Sequence, residues 1–138
     1  MEQSRLRLPL GDLATLEGEP MRATIGLFEP IATVREEVAV FAYLGPQGKL
    51  LGARHVGSGL SDAVPISVRE VMADVFAFDC TGVVMAHNHP SGDPTPSETD
   101  YAFTRRFAHA LDAIGVRLYD HLVLAREGCE SFRRRGLL

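Results

Sequence analysis

The chain has no tryptophan and only two cysteines among its 138 residues. Cys80 and Cys129 form no CxxC pair and cannot make a disulfide framework, so a reducing, cytoplasmic setting is expected. Long hydrophobic runs are also missing. The longest, such as Val38–Leu44, fall far short of the ~20 residues needed to span a bilayer. The start, MEQSRLRLPLGDL, lacks an apolar stretch followed by a small-residue cleavage site, so no secretory signal is expected. There is no excess of positive charge either: 14 basic against 18 acidic residues leave a formal net charge of -4. Gripping a phosphate backbone through bulk charge is therefore disfavoured, and only a local basic patch could do it. No internal repeat or low-complexity tract is present.

Hydrophobic residues make up 46% of the chain, enough for one domain that buries roughly two-thirds of its unfolded surface. Residues 1–20 alternate leucine with charge and read as a leader; residues 21–138 read as the domain. A helix is expected after Pro20, with Ile25, Phe28 and Ile31 at helical spacing, ending or kinking near Phe28 because of Pro30. Glu37–Leu44 reads as a strand covered on both faces, Gly45–Gly48 as a turn and Lys49–Val56 as a returning strand. After a loop with Gly57, Gly59 and Pro65, Ser67 and Glu70 read as a capping box opening a helix to about Phe78. Val83–Ala86 is a third strand running into His87-Asn88-His89, and the prolines of Pro90–Pro96 make a loop. Ser97 caps a long helix through about Ile114, closed by Gly115. Val116–Tyr119 and Leu122–Leu124 are short strand candidates flanking Asp120-His121. The mixture implies an α/β sheet with helices packed on it.

The chemistry is concentrated in HNHPSGDPTPSETD, His87 to Asp100. Side chains two apart in a strand point the same way, so His87 and His89 project to one side and can offer two nitrogens to a borderline metal such as zinc. Asp100, in the first turn of the helix after the loop, can turn its carboxylate toward that strand end. Two histidines and one carboxylate leave a fourth position for water, the arrangement of a catalytic zinc rather than a structural one. A hydrolase also needs a group to move the water's proton, and Glu36 and Glu37 at the mouth of the first strand are the candidates.

His-x-His-Pro, with Ser97 after seven intervening residues and Asp100 after two more, resembles the JAMM motif of JAB/MPN metalloproteases. PISVREV, VVMAHNHPSGDPTPSETD, TRRFAHALDAIGV, DHLVL and SFRRRGLL are more similar still to the bacterial RadC-like JAB domains, from about Leu27 to Leu138. The resemblance implies a single JAB/MPN-type (cytidine-deaminase-like) α/β domain with a curved mixed sheet flanked by helices. It implies Zn2+ held by His87, His89 and Asp100, with Glu37 as acid/base and Ser97 donating to the oxyanion of a tetrahedral intermediate. Glu36 is one residue out of phase with the family's glutamate. RadC-like proteins usually carry an N-terminal helix-hairpin-helix region, for which no room is expected here.

Plainer readings stand beside these. Ser97 satisfies helix N–H groups as an N-cap, worth about 1 kcal/mol, and Asp100 suits the positive end of the helix dipole. Asn88 points away from the histidines and reads as structural, Cys80 as a small buried residue, and His55 and His109 as solvent-facing or locally satisfied. Ser91 and Gly92 read as loop-shaping, with Ser91 able to touch substrate. Either Asp120 or His121 could orient a zinc-bound histidine, or the two could form a buried pair tying strands together. Arg133–Arg135 could contact an anion but read first as a solvated charged terminus. The expected activity is zinc-dependent hydrolysis of a peptide or isopeptide bond. One rival is a DNA-repair or mobile-element role through nucleic-acid or partner binding; another is a scaffold whose metal only stabilises the fold. Substrate and oligomeric state are not encoded legibly, although the leucine-rich leader and Leu137-Leu138 could pack on a second copy.

Overall fold

Strand β1, Val38–Leu44, has almost no exposed side chain. Val40, Ala42 and Leu44 enter one hydrophobic cluster, and Ala39, Phe41 and Tyr43 the other. A strand buried on both faces must lie inside a sheet covered on both sides, and the computed structural model, which describes residues 19–57 and 68–138, shows this arrangement. The sheet order is β2-β1-β3-β4-β5, with β2 Leu50–Gly57, β3 Gly82–Asn88, β4 Arg117–Ala125 and β5 Gly128–Ser131. Only β3 and β4 run parallel; all other neighbours are antiparallel. The fold is thus a mixed α/β sheet flanked by helices, as expected.

Helix α1, Glu19–Phe28, contributes Phe28 to the cluster of Val40, Ala42, Val84 and Leu122. It gives way to a 3-10 turn, Glu29–Thr33, where Pro30 lacks the N–H needed to continue it. Helices α2, Val68–Phe78, and α3, Glu98–Ala113, cover the opposite face through Val71, Val75, Phe107 and Leu111. Gly115, with φ of 73°, ends α3 in the left-handed conformation glycine favours. Residues 1–18 of the expected leader, the Gly59–Pro65 loop and the Ser67 cap lie outside the described residues, while Glu19 and Pro20 already belong to α1. Among the described residues no helix is long and apolar enough to cross a membrane.

The strand candidates on either side of Asp120-His121 are one continuous strand, β4. Its pairing with β3 slips between Val83 and Val84, so Val83 faces Leu118 while Val84 faces Asp120. The slip puts Leu118 in the α2/α3 cluster and Leu122 in the α1 cluster, breaking the two-residue alternation that marks an unbroken strand. Among the described residues no buried side-chain nitrogen or oxygen lacks a hydrogen-bond partner. Asp120 accepts from its neighbour's backbone, His121 N–H at 2.8 Å, from Arg133 N–H at 3.1 Å and from the Ser131 hydroxyl. Burial nevertheless raises the Asp120 pKa above the ordinary carboxylate value. Arg133 is not solvated as expected, since its guanidinium donates to Tyr119 O at 2.7 Å and Leu118 O at 2.8 Å. Arg134 and Arg135 remain exposed, the latter paired with Glu130 at 3.1 Å.

Candidate metal centre

His87 and His89 leave the C-terminal end of β3 on the face that carries Val83 and Met85, beneath the start of α3. Their Nε2 atoms are 3.0 Å apart. Asp100 brings Oδ1 to 3.3 Å from His87 Nε2 and Oδ2 to 3.2 Å from His89 Nε2. The carboxylate is aimed by the helix cap: Ser97 N–H donates to Asp100 Oδ2 at 2.8 Å, and Asp100 N–H donates to Ser97 Oγ at 3.1 Å. Ser97 is therefore an N-cap as its position predicts, and it lies exposed at the rim of the site. Gly92, with φ of 99°, turns the intervening loop, its N–H donating to His89 O at 3.1 Å.

Glu37 enters from the facing strand. Ala39 pairs with His87, and two residues earlier the Glu37 carboxylate lies on the same face. Glu37, His87 and His89 have ligand atoms all within 4.8 Å of one another, while Glu36 points to solvent. The segment is stitched to β3 by Asn88, which is completely buried. Its Oδ1 accepts from Val38 N–H at 2.6 Å, and its Nδ2 donates to Val34 O at 3.0 Å and Glu36 O at 2.8 Å. Asn88 is structural, as expected, but what it holds in place is the backbone that carries Glu37.

The structure thus brings together every residue singled out for the site: Glu37, His87, His89, Ser97 and Asp100. Burial opposes ionisation of Asp100, but contact with the two imidazoles and the Ser97 N–H outweighs it and holds the carboxyl well below its usual range. The same carboxylate raises the His89 pKa, although burial opposes this. Asp93 O accepts from His89 Nδ1 at 3.0 Å, which leaves Nε2 as the inward-facing nitrogen. The donor set suits a metal ion. Ligands of a tetrahedral zinc at ~2.0–2.1 Å lie ~3.3–3.4 Å from one another, against 3.0, 3.3 and 3.2 Å here. Two inward imidazole nitrogens and a carboxylate at this spacing repel unless a cation lies among them.

Beyond these residues, a hydrogen-bonded row passes inward. His87 Nδ1 is 2.6 Å from His121 Nε2, and His121 Nδ1 is 2.6 Å from Thr104 Oγ1, which donates to Asp100 O at 2.7 Å. Burial pushes the His121 pKa well below its ordinary value. Of the pair left open above, Asp120 ties strands together and His121 reaches the site. Thr104 was not singled out from sequence; its signal is a hydroxyl on the buried face of α3, four residues after Asp100 and in line with Phe107 and Leu111. His55 and His109 are exposed and apart from the cluster, and Ser91 Oγ accepts from Asp93 N–H at 3.3 Å.

The profile of the RadC-like JAB domain matches residues 20–137. The chain is 41% identical over 96 residues to a UPF0758 protein of Rhodobacter capsulatus, covering 70% of this chain and 45% of that protein. It is 38% identical over 110 residues to a UPF0758 protein of Thermotoga maritima, 80% of this chain and 49% of the relative. To the UPF0758 protein YfjY of Escherichia coli it is 34% identical over 108 residues, 78% of this chain and 68% of the relative. The chain thus spans about half the length of most of these curated relatives. Their names state no activity.

Proposed function

Since the chain belongs to the RadC-like JAB domain family, we propose that it is a zinc-dependent hydrolase cleaving an amide bond, peptide or isopeptide. The observation that carries this reading is the convergence of His87 Nε2, His89 Nε2 and the Asp100 carboxylate at 3.0–3.3 Å, with Glu37 alongside. His87, His89 and Asp100 hold the metal. Bound there, zinc supplies Lewis acidity, lowering the pKa of water toward neutrality and polarising a carbonyl. Glu37 accepts the proton of the attacking water and delivers it to the leaving amine nitrogen. Ser97 Oγ accepts from Asp100 N–H, so its own proton remains free to meet the developing oxyanion, a donor worth ~2–4 kcal/mol. A cavity of about 280 Å³ lined by Val34, Arg35, His89, Pro90 and Arg126 adjoins His89 and offers room for substrate beside the site.

The test separates the two carboxylates. Metal analysis of the untagged protein should find one zinc per chain, lost in a His87→Ala/His89→Ala variant and in Asp100→Asn. Glu37→Gln should keep zinc but lose turnover in a screen of fluorogenic peptide and isopeptide substrates. No zinc after reconstitution overturns the proposal.

A second reading, contact with nucleic-acid phosphates, draws on one feature. A cleft of about 550 Å³ between α3 and the C-terminal residues is lined by Arg105, His109, Arg117 and Arg133, with Asp112 as the acidic residue. Titration against single-stranded and branched DNA at varied salt tests it, since phosphate contacts give a steep salt slope.

A further inference from the structure

A histidine can ligate a metal through Nε2 only when that nitrogen carries no proton, and the proton on a neutral imidazole goes where the surroundings offer an acceptor. For His87 the surroundings are a closed row of buried groups. His121 is 1% exposed and Thr104 1% exposed. The His121 ring is clamped by Phe132, stacked at 4.4 Å with planes 10° apart, so neither nitrogen can turn elsewhere. The β-bulge in β4 is what aims it. Without the slip at Val83/Val84, His121 would face α1 instead of His87.

With each imidazole neutral, the proton inventory of the row has two solutions. In the first, Thr104 donates to Asp100 O, His121 donates from Nδ1 to Thr104 Oγ1, and His87 donates from Nδ1 to His121 Nε2; His87 Nε2 is then bare. In the reverse, Thr104 donates to His121 Nδ1, His121 donates from Nε2, and His87 carries its proton on Nε2. The distances separate them. The reverse leaves Thr104 Oγ1 and Asp100 O, 2.7 Å apart, with no proton between two oxygens. It also requires an N–H donor from His87 to the Asp100 carboxylate at 3.3 Å, long for a charge-assisted bond, which is ordinarily ~2.7–2.9 Å. His121 has no carboxylate among its hydrogen-bond partners, and a cation fully buried without one is costly. A doubly protonated His121 is excluded on the same ground.

We propose that His121 and Thr104 are positioning residues that hold His87 as its Nδ1–H tautomer before any metal arrives, keeping Nε2 open toward the site. The row ends on Asp100 O, so it also couples the ligand on β3 to the helix turn that carries Asp100. This proposal rests on the metal reading above.

The test has two readouts, neither of them activity. The first is long-range nitrogen–proton correlation NMR of the His87 ring in metal-free protein. The second is zinc affinity by competition with a chromophoric chelator. Wild type should show a protonated Nδ1 and a bare Nε2 on His87. Thr104→Val, nearly isosteric, removes the acceptor for His121 Nδ1–H. His121 should then switch its proton to Nε2, His87 should follow, and zinc affinity should fall 10- to 100-fold. Thr104→Ser keeps the hydroxyl and should restore both readouts. His121→Gln retains an acceptor for His87 Nδ1–H and should bind zinc more tightly than His121→Leu. If wild type binds no zinc, the metal reading fails. If wild type binds zinc but Thr104→Val and His121→Leu bind it equally well, or if wild-type His87 is protonated on Nε2, the positioning proposal alone is overturned.

Discussion

Replacing Asn88 by alanine removes three hydrogen bonds from the backbone that carries Glu37: from Val38 N–H at 2.6 Å, to Val34 O at 3.0 Å and to Glu36 O at 2.8 Å. Each is worth about 1 kcal/mol net, more where the abandoned group stays dry. Val34 and Glu36 are exposed and their carbonyls can recruit water, whereas Val38 is half-buried. The expected loss is therefore ~2–3 kcal/mol, a large share of a domain's ~5–15 kcal/mol. At roughly 3 °C per kcal/mol for a chain of this size, Tm should drop by ~6–9 °C. Urea denaturation gives the free energy directly, and the m-value should not change because the fold is kept. Asn88→Asp sharpens the test. The introduced carboxylate still accepts from Val38 N–H but faces two carbonyl oxygens, so its folded pKa must rise above the ordinary ~3.9. A raised folded pKa means that the protonated form favours folding. The deficit is full at neutral pH and shrinks as pH falls through the raised value. A loss below ~0.5 kcal/mol for Asn88→Ala, or an Asn88→Asp deficit indifferent to pH, refutes the reasoning.

Zinc affinity should weaken as pH falls, beginning above the ordinary histidine pKa, because the bond to Asp100 raises the pKa of His89 and metal and proton compete for one nitrogen. Chelator competition at several pH values checks this, and a flat profile between pH 8 and 6 counts against it. In metal-free protein the His89 contribution to stability has the opposite dependence: it is full below the unfolded pKa and lost as pH rises through the raised folded one. Gly82→Ala should cost ~1–3 kcal/mol in denaturant titration, since a Cβ there lies 2.2 Å from the Tyr119 ring, which Arg117 covers at 5.0 Å. Asp74→Ala should destabilise more than Arg54→Ala. The former strands the buried Tyr43 hydroxyl, bonded to Asp74 at 2.7 Å, while the latter removes only a partly solvated ion pair. The Arg54 guanidinium holds the Asp74 carboxyl low, so this contribution is present above the ordinary carboxylate pKa and fades as pH falls through the lowered one.

What could be read from sequence was whatever depended on neighbours along the chain. His87 and His89 share a face because a strand alternates, and Asp100 faces them because Ser97 caps its helix; both follow from spacing. Strand β1 was legible for a similar reason, its unbroken apolar run needing cover on both faces. By spacing alone Glu37 was one of two adjacent candidates, and only the family resemblance singled it out. The physical reason for that choice is the pairing of Ala39 with His87, a contact between residues 48 positions apart that local pattern does not encode.

The bulge in β4 shows where such reading stops. Leu118 and Leu122 should share a face in a regular strand, yet they lie in different clusters, so the pattern looks like two short strands with a polar break between them. The polar pair lies in the strand just past the slip and is no gap. Asp120 and the Arg133 guanidinium satisfy the backbone groups at the slip, and both depend on a tail residue returning from 13 positions later. That return turns His121 toward His87, 34 residues earlier in the chain. Beyond the slip, His121 alternates regularly with Leu122 and Leu124, so the imidazole that meets His87 and the leucines that pack toward α1 are placed by the same register. Loss of the slip would move His121 off His87 and Leu122 out of the α1 cluster together, so fold and metal site depend on one phase of strand β4.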